Sequence, residues 1–144
     1  MIKKNLFRSL ILALILVAGL TACGVGMDPD GEWDPMEWKA DVKLKKDHSI
    51  SVSAEGGTFH FTCTNYSWFW LSGVSEDGQG VEFDYDDYVY DYSYSVGKWS
   101  RVEVEGNVMT VMISPNGTGN QRILKIKPTG GDICDYFTFT QANQ

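Results

Sequence analysis

Beyond Ala40 the apolar residues recur at every second position, a spacing that fills one face of a strand and no face of a helix. Val42 and Leu44 alternate with lysines, and Ile50 and Val52 alternate with serines. After the break at Gly56-Gly57, residues Phe59, Phe61 and Cys63 share one parity. Ser67 to Ser72 is apolar at both parities, the pattern of a central strand covered on both faces. Arg101 to Glu105 alternates strictly, Gly106-Asn107 supplies a turn, and Val108 to Ile113 returns. Gln121 to Lys127 and Ile133 to Thr140 close the chain across the turn Pro128-Thr129-Gly130-Gly131. Nothing after residue 22 offers two capped turns of helical period. Short strands punctuated by Gly, Pro and Asn predict an all-β antiparallel β-sandwich. Its expected core is Val42, Leu44, Ile50, Val52, Phe59, Phe61, Leu71, Val102, Val104, Val111, Ile113, Leu124, Ile126, Phe137 and Phe139.

The first 22 residues follow different rules. Lys3, Lys4 and Arg8 precede an apolar run from Leu10 to Leu20, which falls short of the ~20 residues a membrane-spanning helix needs but suits a signal-peptide core. Leu20-Thr21-Ala22-Cys23-Gly24 then resembles the lipobox of bacterial lipoproteins. That resemblance implies cleavage before Cys23 and lipid on its thiol and new amino terminus. Several acyl chains hold a protein stably on a membrane, because each buried CH₂ contributes ~0.8 kcal/mol and one chain alone is marginal. The organisation expected is a lipoprotein signal peptide over 1–22, a lipid-anchored tether with a tryptophan-containing turn over 23–39, and a sandwich domain over 40–144. Within the tether, Gly24 to Gly31 has little to bury, and Trp33 and Trp38 flank the turn-forming Asp34-Pro35.

Cleavage leaves 122 of the 144 residues, one domain's worth of chain. Three of the twelve basic residues leave with the signal, so nine face 19 acids and the mature net charge is −10. Such a chain repels nucleic acid and anionic head groups, which excludes nucleic acid as a partner. Its membrane contact is expected through lipidated Cys23, in an outer membrane, facing either the periplasm or the cell surface. Export permits Cys63 and Cys134 to pair, and a bridge closing roughly 70 residues stabilises by ~4 kcal/mol on the chain-entropy argument. Alternation, however, sets Cys134 on the face opposite Phe137 and Phe139. A disulfide and two separate thiols both remain open.

Chemistry-bearing constellations are scarce. His48 and His60 stand in strand contexts without a Cys or carboxylate at metal-ligand spacing, so no metal site and no cofactor are expected. Cys63 has no identified base, and the acids near Asp84 are scattered by alternation, so the chain reads as no enzyme. Ser75 to Gly80 offers loop oxygens for calcium but lacks regular ligand spacing. The exceptional segment is Glu82 to Tyr94, with five tyrosines and five acids in thirteen residues. Tyr88, Tyr90, Tyr92 and Tyr94 share a parity. Aromatic rings offer flat partners for the CH faces of sugars, and nearby carboxylates accept hydroxyl hydrogen bonds. Tyr88, Tyr90, Tyr92 and Trp99, with Asp86, Asp87 and Asp91, are therefore the candidate ligand-binding residues. Tyrosines also populate strands for packing alone.

Three stretches together resemble the BACON domain family of gut-bacterial lipoproteins: Gly56 to Tyr66, the aromatic Trp68-Phe69-Trp70-Leu71-Ser72, and Asn120 to Ile126 with Phe137 to Gln141. The resemblance spans roughly Val42 to Gln141 and implies an immunoglobulin-like sandwich that binds glycan or mucin. Two departures stand out: no enzyme domain accompanies it, and the tyrosine-rich segment is longer than expected between mid-domain strands. The function expected is a membrane-anchored, non-catalytic module binding a glycan, mucin or other extracytoplasmic ligand through an aromatic surface. The alternative is a structural or assembly subunit of a cell-envelope protein complex.

Overall fold

The structure is a computed structural model and describes residues 33–86 and 89–144. The expected signal peptide, Cys23 and the expected tether up to residue 32 lie outside the described residues. Twelve strands follow one another: β1 (Trp38–Ala40), β2 (Ser49–Val52), β3 (Gly57–Cys63), β4 (Trp70–Glu76), β5 (Gln79–Gly80), β6 (Phe83–Asp86), β7 (Val89–Val96), β8 (Ser100–Glu105), β9 (Val108–Ile113), β10 (Arg122–Gly130), β11 (Ile133–Cys134) and β12 (Phe137–Gln141). They form two sheets, ordered β1-β3-β9-β8-β7-β6 and β2-β12-β10-β4-β5, with β11 pairing β10. Every pairing is antiparallel except β2 with β12. The run β1, β3, β9, β8 reproduces strands A, B, E and D of an immunoglobulin domain, and β12, β10, β4 reproduce G, F and C. The fold is an immunoglobulin-like sandwich, widened by the β6–β7 hairpin on one sheet.

Inward positions of the two sheets meet as the alternation requires. Of the fifteen expected core residues, twelve are buried; Val42, Leu44 and Phe59 are half-buried against them. Met36, Cys63, Phe69, Val74 and Met109 complete the core. Phe137 is its hub: Phe61 and Trp38 meet it edge-on at 5.0 Å, and His48 stacks on it at 4.9 Å.

Several elements depart from the expected pattern. Val42-Lys43-Leu44 is not a strand; the pairing is made earlier, by β1, and the chain then bends towards a turn at His48, whose φ is +51°. The sandwich also begins before residue 40, since Met36 is buried and Trp38 lies in β1. Ser67 to Ser72 is not a doubly covered strand. β4 starts at Trp70 and its outer neighbour is the two-residue β5, while Phe69 and Leu71 fill the core. Trp68 and Trp70 shield one another by stacking, at 5.2 Å and 19°. Pro128 and Thr129 belong to β10, continuing past a register shift to pair with Leu71 and Trp70.

Cys63 and Cys134 are free thiols. Cys63 is buried on β3 of one sheet, its thiol donating to Asn65 Oδ1 at 3.5 Å. Cys134 sits on β11 at the margin of the other sheet, its thiol 3.8 Å from the Tyr136 hydroxyl. Of the two arrangements the sequence left open, the structure has the unbridged one.

Candidate ligand-binding face

The described part of the tyrosine-rich segment lies in β6 and β7. Asp86 pairs with Val89 and Tyr85 with Tyr90, so the segment is an edge hairpin laid against β8. Asp87 and Tyr88 lie outside the described residues, and Asp86, Tyr90, Asp91 and Tyr92 are described by backbone alone. The strand's other end is fully defined. Ser95 is buried, and its neighbour Tyr94 is half-exposed on the outer face. The Arg101 guanidinium lies over the Tyr94 ring, 4.8 Å from its centre. Arg101 Nε donates to Glu103 Oε1 at 2.8 Å and pairs with it as an ion pair. Those hydrogen bonds hold the Arg101 guanidinium above its ordinary pKa, so it stays a fixed cation. Tyr94, Arg101 and Glu103 meet because Tyr94 is in register with Glu103, and Val96 with Arg101.

Trp99 stands in the turn joining β7 to β8, half-buried and packed against the core. Arg122 lies over its ring, 4.6 Å from the centre, while donating through Nη2 to the carbonyls of Ser114 (3.2 Å) and Pro115 (2.8 Å). The turn is pinned from the opposite sheet by Glu76. This buried carboxylate accepts from the backbone N–H groups of Lys98 (2.9 Å), Trp99 (3.0 Å) and Ser100 (2.8 Å) and from Ser100 Oγ (2.7 Å). Two hollows flank the pinned turn. One, of about 300 Å³, runs from Val96 to Arg101 and is closed by Met112 and Ser114. The other, of about 450 Å³, lies between the turn and the β4–β5 hairpin, against Asp77, Gln79 and Val81. Both reach the size range of small-ligand sites, and Trp99 lines both.

Trp99 and Tyr94 are thus joined through Arg101 and the smaller hollow. Tyr90 is six residues from Val96 along β7, about 20 Å at strand rise. A single sugar ring cannot reach from Trp99 to Tyr90; a chain of several can. Sequence reasoning missed Arg101, Glu103 and Glu76. The Arg101–Tyr94 contact is made across strand register and the Glu76 contacts between sheets. The i, i+2 spacing of Arg101 and Glu103 on β8 was the one local signal available.

The other polar groups considered for chemistry have structural partners. Glu76 is turned inward as described, and Asp77 Oδ1 accepts from Ile123 N–H at 2.7 Å. Each histidine has an aspartate. His48 Nδ1 is 2.9 Å from Asp135 Oδ1, whose other oxygen accepts from Trp38 Nε1, and His60 Nδ1 is 2.7 Å from Asp41 Oδ2. Among the described residues no three His, Cys, Asp or Glu are grouped to hold a metal ion.

Topology and face together define an immunoglobulin-like β-sandwich with an aromatic edge hairpin. The chain is 37% identical to a protein from Bacteroides thetaiotaomicron solved by NMR, over 83% of this chain and 95% of that one, with a TM-score of 0.68. The two belong to one family. Titin domain M7 is similar at a TM-score of 0.46 and 9% identity, over 78% of this chain and 99% of that one. No family model matches the chain, and no curated protein matches it.

Proposed function

We propose that this protein is a lipid-anchored, non-catalytic BACON-type module that binds an extended glycan along the outer face of β7 and β8. The observation that carries the reading is the continuous run from Trp99 through the 300 Å³ hollow and Arg101 to Tyr94, at the base of a hairpin rich in tyrosine and aspartate. Rings held by cation–π contacts on a pinned turn lose little entropy when a sugar stacks on them. Arg101 and Glu103 supply donors and an acceptor for hydroxyls. The stretches that resemble BACON domains fall on β3, β4, β10 and β12, the framework strands, while the ligand face lies on β7 and β8. The lipobox-like Leu20 to Cys23 supports anchorage on an outer membrane, with the periplasm or the exterior before the module.

The test is titration of the soluble domain, residues 28–144, with a panel of oligosaccharides four to six units long. Binding is expected to fall at least tenfold in Arg101→Ala and Tyr94→Ala, with unchanged circular dichroism. Absence of binding at millimolar ligand, together with co-purification of an envelope protein, would favour the assembly role. Incorporation of labelled palmitate, lost in Cys23→Ser, tests the anchor.

A further inference from the structure

The end of the sandwich away from Trp99 carries a second aromatic feature. Trp68 is 62% exposed, more than any other large apolar side chain among the described residues, yet it is held by its stack on Trp70. Directly before it, the loop grips the segment by which the chain joins the domain. Tyr66 donates its hydroxyl hydrogen to Asp34 O at 2.6 Å, and the Asn65 side chain donates to Pro35 O and accepts from Glu37 N–H, both at 2.8 Å. The joining point and the exposed indole are therefore two residues apart on one loop. β4 leads from Trp70 at this end to Glu76 beneath the Trp99 turn, six residues or about 20 Å away.

We infer that the Trp68–Trp70 stack docks on the lipid interface beside the anchor; the inference rests on lipidation of Cys23. Asp34 stands eleven positions after Cys23, so the chain between them reaches at most about 36–40 Å. Tethering at that length gives an effective concentration in the millimolar range, so a weakly favourable surface contact is populated. Indole suits that surface, with an apolar body for the acyl boundary and an N–H for the head groups. A mature charge of −10 gives no general attraction to anionic lipid, so the partner is a zwitterionic surface. Docked by this end, the domain presents the Trp99 turn away from the bilayer.

The experiment uses the mature lipidated chain in phosphatidylethanolamine–phosphatidylcholine vesicles bearing brominated acyl chains. Flotation with vesicles, lost in Cys23→Ser, reports the anchor; tryptophan quenching reports docking. The expected result is quenching that falls by half or more in Trp68→Phe and is unchanged in Trp33→Phe and Trp99→Phe. Flotation without quenching, or quenching that persists in Trp68→Phe, overturns docking while leaving the anchor intact. A wild-type chain that does not float overturns the anchor itself. Emission of Trp68 that responds to soluble saccharide and not to vesicles makes the stack a sugar platform and overturns the inference.

Discussion

Glu76 leaves β4 towards the interior and accepts four hydrogen bonds from the turn between β7 and β8, which belongs to the other sheet. Truncation to alanine strands those donors, at 1–3 kcal/mol for each that stays dry, so Glu76→Ala is expected to cost about 3–5 kcal/mol in urea denaturation. Gly97 leaves room for the same carboxylate: a Cβ there would stand 2.1 Å from Glu76 Oε1. Gly97→Ala should therefore destabilise wild type strongly and the Glu76→Ala background little, a coupling that a double-mutant cycle reads directly. Asp41 behaves differently. Partial burial pushes its carboxyl up, but the His60 backbone N–H and ring hold it below the ordinary carboxylate value. Its contribution is complete above the unfolded value of about 3.9 and is lost as pH falls through the lower folded value. Asp41→Asn should accordingly lower stability modestly at neutral pH and leave it nearly unchanged below the folded value, so the acid limb flattens in urea denaturation followed against pH.

Elements were legible where alternation had one buried face. β3, β8, β9 and β12 lie where their parity predicted, because a one-residue slip would expose every core side chain. The aromatic stretch before β4 was misread, since self-stacking of Trp68 and Trp70 imitates the composition of a doubly covered strand. Val42 and Leu44 were misread for the converse reason: they pack on the core without any strand partner. The candidate site was legible only as composition. Alternation marked the tyrosines, and aromatic composition Trp99, but neither showed the register that sets Arg101 on Tyr94 nor the carboxylate that fixes the turn. The loop after β9 shows how far such order depends on one side chain. Asn116 is fully buried; its Nδ2 donates to Asn120 O and Ala142 O, and its Oδ1 accepts from Thr118 N–H and Oγ1. Asn116→Ala is expected to cost about 2–4 kcal/mol and to remove hydrogen-exchange protection at Thr118 while β9 stays protected.

The whole molecule is closed by its last strand. β12 lies between β10 and β2, and pairs Phe139 with Leu124 on one side and with Ile50, 89 residues earlier, on the other. Phe137 on the same strand meets Trp38, His48 and Phe61, so one strand joins the second sheet and contacts both β1 and β3 of the first. Such pairings reward the chain only after long loops have closed, which places folding in the millisecond-to-second range. Removing residues 137–144 takes away the strand that β2 pairs with among the described residues and leaves β10 with an open edge, so the truncated chain has no route to a sandwich. The compact unit begins at Asp34, so removing residues 1–33 should change unfolding free energy by less than about 0.5 kcal/mol. Thermal and urea unfolding of the two truncations decide the point. A cooperative transition after loss of β12 would mean that the first sheet and its face can fold alone, whereas its absence, with full stability at the other truncation, makes the ligand face depend on a strand in the opposite sheet.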